Sequence, residues 1–314
     1  MIRLSFIVPF YNVEPYIEEC IRSLYNQDVP QEEYEVICVD DCSPDGSRAI
    51  VEHLQKEYPT LRLLTHATNK RQGGARNTGL REAKGEYVWF VDSDDYLKPN
   101  CLKDMLELAE KEDLDVLKFY FDRENGKEEM LASEGVVSGS SLIFDVQTNI
   151  HLSMRCCSAV QQIIKREFLQ RNGIIFAENV QYEDDDFSYQ IHALAGRTRL
   201  IAQKPYVVRS TPNSTTRRQN DFRRVRDIYA LSVRMTALKP MLLQYDGRWD
   251  DVIHLCIDDS FNNYIFPILT TCTMREQLYF WCKLRRHVRN FKPYLSRKSY
   301  AKLCSYVIWK MFQK

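Results

Sequence analysis

The first hundred residues alternate short apolar runs with longer amphipathic stretches, and few folds tolerate that rhythm. Apolar runs stand at residues 4–8, 36–39, 61–64 and 87–91, and between them residues 15–25, 47–58 and 74–83 carry apolar side chains at helical spacing. Strands buried on both faces read as continuous apolar runs, and parallel neighbours need a crossover helix to join them. The pattern therefore predicts a mostly parallel α/β sheet flanked by helices. A helix at 101–112 and a strand at 116–121 continue it, and 126–139 reads as irregular or hairpin. From Arg217 onward, helical spacing punctuated by Pro240, Gly247, Pro267 and Pro293 predicts a mostly helical extension. A chain of 314 residues can bury one substantial core and still carry such an appended unit.

In sheets of this kind ligands collect beyond the carboxyl ends of the strands. The residues just after the apolar runs, 9–12, 40–47, 69–77 and 92–95, are rich in Asp, Asn or Gly. Asp92, Asp94 and Asp95 follow a central strand, with Ser93 among them. Carboxylates so placed repel one another and call for a cation, and hard oxygen ligands suit Mg²⁺ or Mn²⁺, which also bind substrate phosphates. A helix N-cap would explain one of these Asp residues, not three. Asp40 and Asp41 repeat the arrangement; Asp45 or Ser47 can cap the next helix, whereas Asp41, facing a crevice, can accept the N3–H of a uracil ring. The glycine-rich segment 69–79 allows close backbone approach before a helix N-terminus, and Arg76 adds a fork for phosphate oxygens. No GxxxxGK[ST] occurs, and no GxGxxG follows the first strand, which counts against a P-loop enzyme and a dinucleotide dehydrogenase. Downstream, Glu183, Asp184, Asp185 and Asp186 precede a helical pattern. They read either as a solvated acidic helix start or as the source of a general base.

The chain has 43 basic and 43 acidic residues, so it lacks the overall positive field of nucleic-acid binders. Its 10 cysteines form no pair of CxxC motifs for zinc and are expected to be reduced thiols. Neither a secretory leader nor an apolar run long enough to cross a bilayer is read, so a cytoplasmic location is expected. Residues 283–314 carry ten Lys or Arg and no acid, interleaved with aromatic residues. That is the composition of a helix lying on an anionic membrane surface, or of a packed helical cap with solvated cations.

Taken together, six ordered segments resemble the family 2 glycosyltransferases of the GT-A fold, in the branch that builds bacterial capsular, exopolysaccharide and O-antigen chains. They are SFIVPFYNVEPYIEECIRSL (5–24), VICVDDCSPDGS (36–47), NKRQGGARNTGL (69–80), GEYVWFVDSDDYLKP (85–99), YEDDDF (182–187) and PYVVRSTPNSTT (205–216). The resemblance implies a catalytic domain over 1–216, with a nucleotide-binding half to about residue 100 and an acceptor half after it, and a helical extension over 217–314. It implies that Pro9, Tyr11, Asn12 and Glu14 form the first nucleotide-binding loop, that Asp41 meets uracil with Asp40 beside it, and that Arg76 and Asn77 help hold the donor. Asp92, Ser93 and Asp94 match the DxD signature, with Asp92 and Asp94 on ribose and the diphosphate-bound metal, and Asp95 sharing in donor or acceptor contacts. Asp184 corresponds to the catalytic base, with Glu183 its neighbour, and Arg209 and Ser214 lie in the block that closes over the diphosphate. Asp185 and Asp186 depart from the more apolar residues that often follow this pair.

The implied reaction is transfer of a sugar from a nucleotide-sugar donor, a UDP-hexose or UDP-N-acetylhexosamine, with Mn²⁺ or Mg²⁺ and with inversion at the anomeric carbon. The acceptor would be a hydroxyl of a glycan or of a polyprenyl-linked oligosaccharide. A sugar nucleotidyltransferase would need an Arg- and Gly-rich loop where VPFYN stands, and a non-catalytic relative would be expected to have lost its DxD or its base.

Overall fold

All seven residues of β1 (Leu4–Phe10) are buried, as its nearly unbroken apolar character requires. It lies between two parallel partners, β2 (Tyr34–Asp40), in register from Leu4↔Tyr34 to Phe10↔Asp40, and β4 (Tyr87–Phe90), from Leu4↔Tyr87 to Ile7↔Phe90. The computed structural model describes residues 1–124, 142–144, 158–180, 183–211, 222–242, 257, 260–269, 272–284, 288–292 and 295–301. Residues 126–139, Ser214 and much of 283–314 lie outside them, and with them the sequence expectations placed there.

The chain crosses the sheet through α1 (Ile17–Tyr25), α2 (Ser47–Leu54), β3 (Leu61–Thr65) and α3 (Arg71–Glu82). After β4 come β5 (Tyr96–Leu97), α4 (Lys103–Lys111), β6 (Val116–Lys118), β7 (Phe121–Arg123), β8 (Leu142–Phe144) and β9 (Gln162–Lys165). Then follow α5 (Arg166–Arg171), α6 (Glu183–Leu194), β10 (Thr198–Leu200) and β11 (Tyr206–Val208). The main sheet runs β3-β2-β1-β4-β9-β6-β10-β8, and a second sheet runs β5-β11-β7. β9 is antiparallel to both β4 and β6, so the sheet is mixed. The strand expected at 116–121 divides: Val116–Lys118 stays in the main sheet, Phe121–Arg123 joins the second, and Phe119 N and Tyr120 N donate to Gln161 O and Gln203 O at the crossing.

The pleat sorts the core into two layers. Leu4, Phe6, Val8 and Phe10 pack with Trp89 and the inner faces of α1, α2 and α4, while Ile7, Val88 and Phe90 pack with α3, α5 and α6. On α1, Ile17, Cys20, Ile21 and Leu24 recur at i, i+3, i+4 and i+7 and are all buried; each aliphatic among them contributes about 1.5–3 kcal/mol by leaving water. Helix α3 starts at Arg71, three residues before the amphipathic pattern suggested, because its first turn is built for close approach. A Cβ on Gly73 would stand 2.2 Å from Ala177 O, and one on Gly79 2.4 Å from Ile7 Cγ2. Both positions need the missing side chain.

Pro9 is the odd residue of β1, since a proline has no N–H for a sheet ladder. Ile7 O, on the β4 side, accepts Val91 N at 3.0 Å, and Phe10 O, on the β2 side, accepts Asp41 N at 2.9 Å. By alternation the absent N–H of Pro9 faces the β4 side, one step beyond the last paired rung. No ladder bond is lost, and β1 and β4 diverge there.

Two compact units are distinguished, Met1–Asn179 with Glu183–Ser214, and Val180–Tyr182 with Thr215–Lys314. The second contains α7 (Phe222–Leu242), a π-helical turn (Ser260–Ile265), α8 (Phe266–Leu269), α9 (Met274–Leu284) and α10 (Val288–Phe291). Its aromatic core links Tyr229 to Phe280 (5.2 Å between centroids) and Phe261 to Phe291 (5.0 Å) and Phe266 (5.6 Å). Thr273 and Glu276 form a reciprocal capping box that starts α9. Among the described residues no helix is long and apolar enough to cross a membrane.

Candidate active site

Strand order reverses between β1 and β4, since β2 and β3 lie to one side of β1 and β4 to the other. A reversal of this kind opens a crevice at the carboxyl ends of the parallel strands. The segments after β1, β2, β3 and β4 converge there.

After β1, Tyr11 is 49% exposed and Asn12 holds a left-handed φ of 57°, a conformation Asn tolerates better than most residues. The loop is braced to the one after β2: Asn12 N and Val13 N donate to Ser43 Oγ (3.4 Å) and Ser47 Oγ (3.0 Å), and Glu14 N donates to Asp45 Oδ2 (2.9 Å). Glu14 Oε2 in turn accepts Gly46 N at 2.8 Å. Glu14, expected on the nucleotide, thus spends that oxygen at the start of α2. Asp45, hydrogen-bonded by Ser47 and Glu14 N, has its carboxyl held below the usual range in spite of partial burial. Asp40 Oδ1 accepts Ser43 N at 2.8 Å and shapes the turn. Asp41 Oδ1 receives two donors, Lys70 N (2.8 Å) and a ring nitrogen of His66 (2.8 Å).

After β4, Asp92 Oδ1 is bonded by Arg76 Nη2 (2.7 Å) and Gln72 Nε2 (3.2 Å), both from α3. Asp94 Oδ2 lies 3.4 Å from Thr211 Oγ1. Burial first, and then the charge of Asp92, push the Asp94 carboxyl up. Asp95 is pushed up in the same way, by burial and then by Asp92 and Asp94. Its two oxygens are taken by Tyr206 Oη (2.8 Å) and Arg209 N (2.8 Å), and Tyr206 Oη also accepts Asp92 N at 3.0 Å. Asp95 and Tyr206 therefore pin the aspartate loop to β11. Ser93 is buried between the two outer aspartates of the signature.

Arg76 is the electrostatic centre. Its side chain is 3% exposed, with Nη1 2.5 Å from Glu183 Oε1 and Nη2 on Asp92. Burial works against its charge, but Asp92, Glu183 and Asp184 together outweigh that and hold it protonated. The guanidinium also lies over the Phe176 ring at 5.2 Å. Asn77 is likewise turned inward: Nδ2 donates to Phe176 O and Glu178 Oε1 at 3.0 Å each, and Oδ1 accepts Phe176 N at 2.9 Å. Both residues, expected on the donor, serve in this geometry as brackets between α3 and the segment leading to α6.

Glu183 and Asp184 open α6. Burial raises both carboxyls, opposed in each case by Arg76. Glu183 is tied to Arg76, whereas Asp184 has Ser158 Oγ at 3.4 Å. The pair thus divides into a member paired with Arg76 and one held, among the described residues, only by the hydroxyl of Ser158. Arg209 places its guanidinium over the rings of Tyr16 (5.4 Å) and Tyr96 (5.0 Å), with Glu19 at 2.8 Å. His66, Gln72, Tyr206 and Thr211 were not singled out from sequence. His66 carried the best signal, since it stands one residue past β3.

The family model for glycosyl transferase family 2 matches residues 5–173. "Uncharacterized glycosyltransferase EpsJ" of Bacillus subtilis is 32% identical over 219 residues, covering 68% of this chain and 62% of that protein. The poly(ribitol-phosphate) beta-N-acetylglucosaminyltransferase TarS of Staphylococcus aureus is 33% identical over 214 residues, covering 66% of this chain and 35% of TarS. The chain thus spans less than two thirds of either relative's length. Among solved structures, S. aureus TarS 1–349 in complex with UDP-GlcNAc aligns with TM-score 0.74 at 25% identity over 92% of this chain and 81% of that one. The mannosyltransferase PcManGT of Pyrobaculum calidifontis, in complex with GDP-Man and Mn²⁺, aligns with TM-score 0.55 at 18% identity over 99% and 86% of the two chains and shares the fold. With more than half its length matched by that family model, the chain belongs to glycosyl transferase family 2.

Proposed function

We propose that the protein is an inverting glycosyltransferase that moves a sugar from UDP-hexose or UDP-N-acetylhexosamine to a hydroxyl of a surface glycan or its polyprenyl-linked precursor. The observation that carries this reading is Arg76, one buried cation joining Asp92 of the donor signature to Glu183, whose neighbour Asp184 carries no ion pair among the described residues and meets only the Ser158 hydroxyl. Donor and base machinery are thereby held in one frame. TarS is named for transfer to poly(ribitol phosphate) and is solved with UDP-GlcNAc, which supports a UDP donor and a polyol or glycan acceptor here.

Asp92 and Asp94 fit a divalent cation. They offer hard oxygens, and burial together with the charge of Asp92 pushes the Asp94 carboxyl up, a cost that a bound cation offsets. Among the described residues no group of three or more His, Cys, Asp or Glu surrounds one point. The protein would thus supply few ligands and leave the rest to diphosphate and water, as Mg²⁺ and Mn²⁺ allow. When bound, such an ion neutralises charge on the departing diphosphate. Tyr11 and Asp41 bind the base. Asp184 takes the acceptor proton as that oxygen bonds to the anomeric carbon, and the bond from that carbon to the diphosphate oxygen breaks on the opposite face. An α-linked donor gives a β-linked product. Burial makes Asp184 a stronger base than a solvated aspartate.

The test is release of nucleoside diphosphate from a panel of sugar nucleotides, with glycan and polyol-phosphate acceptors, in Mn²⁺ or Mg²⁺ and in excess chelator. Turnover confined to UDP-sugars and abolished by chelation is expected. No turnover with any donor, or full turnover in chelator, would overturn the reading.

A further inference from the structure

Asp41 is suited to the N3–H of uracil only while it remains a pure acceptor, because a protonated carboxyl would meet the acceptor N3 of cytosine equally well. What holds the carboxylate in place lies on its other side. His66, just past β3, has its side chain 6% exposed, and Asp41's is 4% exposed. His66 Nδ1 sits 2.8 Å from Asp41 Oδ1, and Nε2 sits 3.0 Å from Thr78 Oγ1 on α3. Thr78 Oγ1 also lies 3.0 Å from Gly74 O and receives Arg81 Nη2 at 3.0 Å.

The proton on the ring follows by counting. Asp41 Oδ1 already accepts Lys70 N, so it is an acceptor oxygen and the facing Nδ1 carries hydrogen. At the other end Thr78 either gives its hydroxyl proton to Gly74 O and accepts from Nε2–H, or gives it to a bare Nε2. In the first both ring nitrogens carry hydrogen, in the second Nδ1 alone does, and Nδ1 is the donor to Asp41 in each. Two donors on Oδ1 fix the orientation of the carboxylate and leave Oδ2 without a partner among the described residues.

We propose that His66 is the positioning residue that sets base preference: it fixes the Asp41 carboxylate by one oxygen and leaves the other to accept, so that the site takes a pyrimidine with an N3–H, uracil, over cytosine, whose N3 is itself an acceptor. This rests on the reading of Asp41 as the base-binding carboxylate. Thr78 and Arg81 orient the ring from α3, which ties base recognition to the helix that carries Arg76.

The experiment compares dissociation constants of the whole chain for UDP, CDP and inorganic diphosphate in Mn²⁺, for the parent and for His66→Ala and His66→Asn. The parent is expected to prefer UDP. In His66→Ala that preference falls by about tenfold, the scale of one hydrogen bond to a charged group, while inorganic diphosphate binds as before. His66→Asn, whose amide can replace Nδ1–H, restores most of the preference. A UDP preference unchanged in His66→Ala overturns the inference and leaves the donor reading standing. Equal loss of UDP, CDP and inorganic diphosphate in both variants also overturns it, since that marks a merely structural residue. A parent that does not prefer UDP overturns the uracil reading and this inference with it.

Discussion

Replacing Arg76 with Met keeps most of the side-chain volume and removes the charge between Asp92 and Glu183, so its cost reports the electrostatics of the bracket. Part of that cost does not depend on pH: the lost hydrogen bonds to Asp92 and Glu183 themselves, on the order of 2–3 kcal/mol, with the Asp92 share discounted because that carboxylate is partly solvated. The other part comes from Glu183. Burial pushes its carboxyl up to about 7 in spite of Arg76, from an ordinary value near 4.3. A carboxyl raised on folding favours the folded state fully below its unfolded value, and that contribution is lost as pH rises through the folded value. Without Arg76 the carboxyl rises further, so the variant goes on losing stability above pH 7, where the parent has levelled off. Each pH unit adds about 1.4 kcal/mol to the gap. Parent and Arg76→Met should thus differ by about 2–3 kcal/mol at pH 6 and about 3–4 kcal/mol at pH 8. For a unit of this size the extra gap is roughly 3–6 °C in melting temperature. Urea and thermal unfolding at the two pH values measure it, and adding Glu183→Gln to the variant should cut the widening to the share that Asp184 contributes. A gap that is constant or narrower at pH 8 would refute this account of Glu183.

Three further outcomes are expected. Asp184→Asn should lose turnover by two or more orders of magnitude with UDP affinity within about threefold of the parent, because a base acts in the transition state; activity lost on Glu183→Gln but kept in Asp184→Asn would move the base by one position. Gly73→Ala drives a Cβ against Ala177 O, so unfolding should show a loss of about 1–3 kcal/mol, and an unaltered melting curve would mean that the 174–178 segment yields freely. If the basic residues of 283–314 rest on a membrane, flotation should show binding to anionic liposomes that weakens with salt and on deletion of that segment, and absence of binding at low salt would leave the packed-cap reading.

The sheet was legible as far as periodicity reached. Four apolar runs gave β1 to β4, and the rule that ligands gather at strand ends led directly to Asp40, Asp41 and the 92–95 cluster. Periodicity could not reveal that Gln162–Lys165 inserts antiparallel between β4 and β6, because a four-residue strand carries no pairing partner in its composition. Nor could it orient side chains on α3. Arg76 and Asn77 are adjacent in sequence and about 100° apart around the helix, and only the packed neighbours, Asp92 and Glu183 for one and Phe176 for the other, show where each is committed. Asp95 is expected from the sequence to share in donor or acceptor contacts, and only the folded chain shows Tyr206 and Arg209, more than a hundred residues away, on its two oxygens. His66 was passed over because a lone imidazole after a strand has many bland explanations, and its meaning depends on Asp41 across the strand boundary.

The divergence of β1 and β4 creates something unusual, a sheet edge in the middle of a sheet. Exposed edges invite pairing by any extended segment, and proteins blunt outer edges with charge or proline. Pro9 does the same at an inner edge: with no hydrogen to donate toward β4, that stretch of β1 offers half a template to an intruding strand. The aspartates that follow β4 add charge to the opposite lip. The mouth of the crevice is therefore guarded against being zipped shut by backbone, whether from a neighbouring loop, an extended peptide or a misfolded copy. A ligand that makes its contacts through base, phosphate and metal has no such ladder to build.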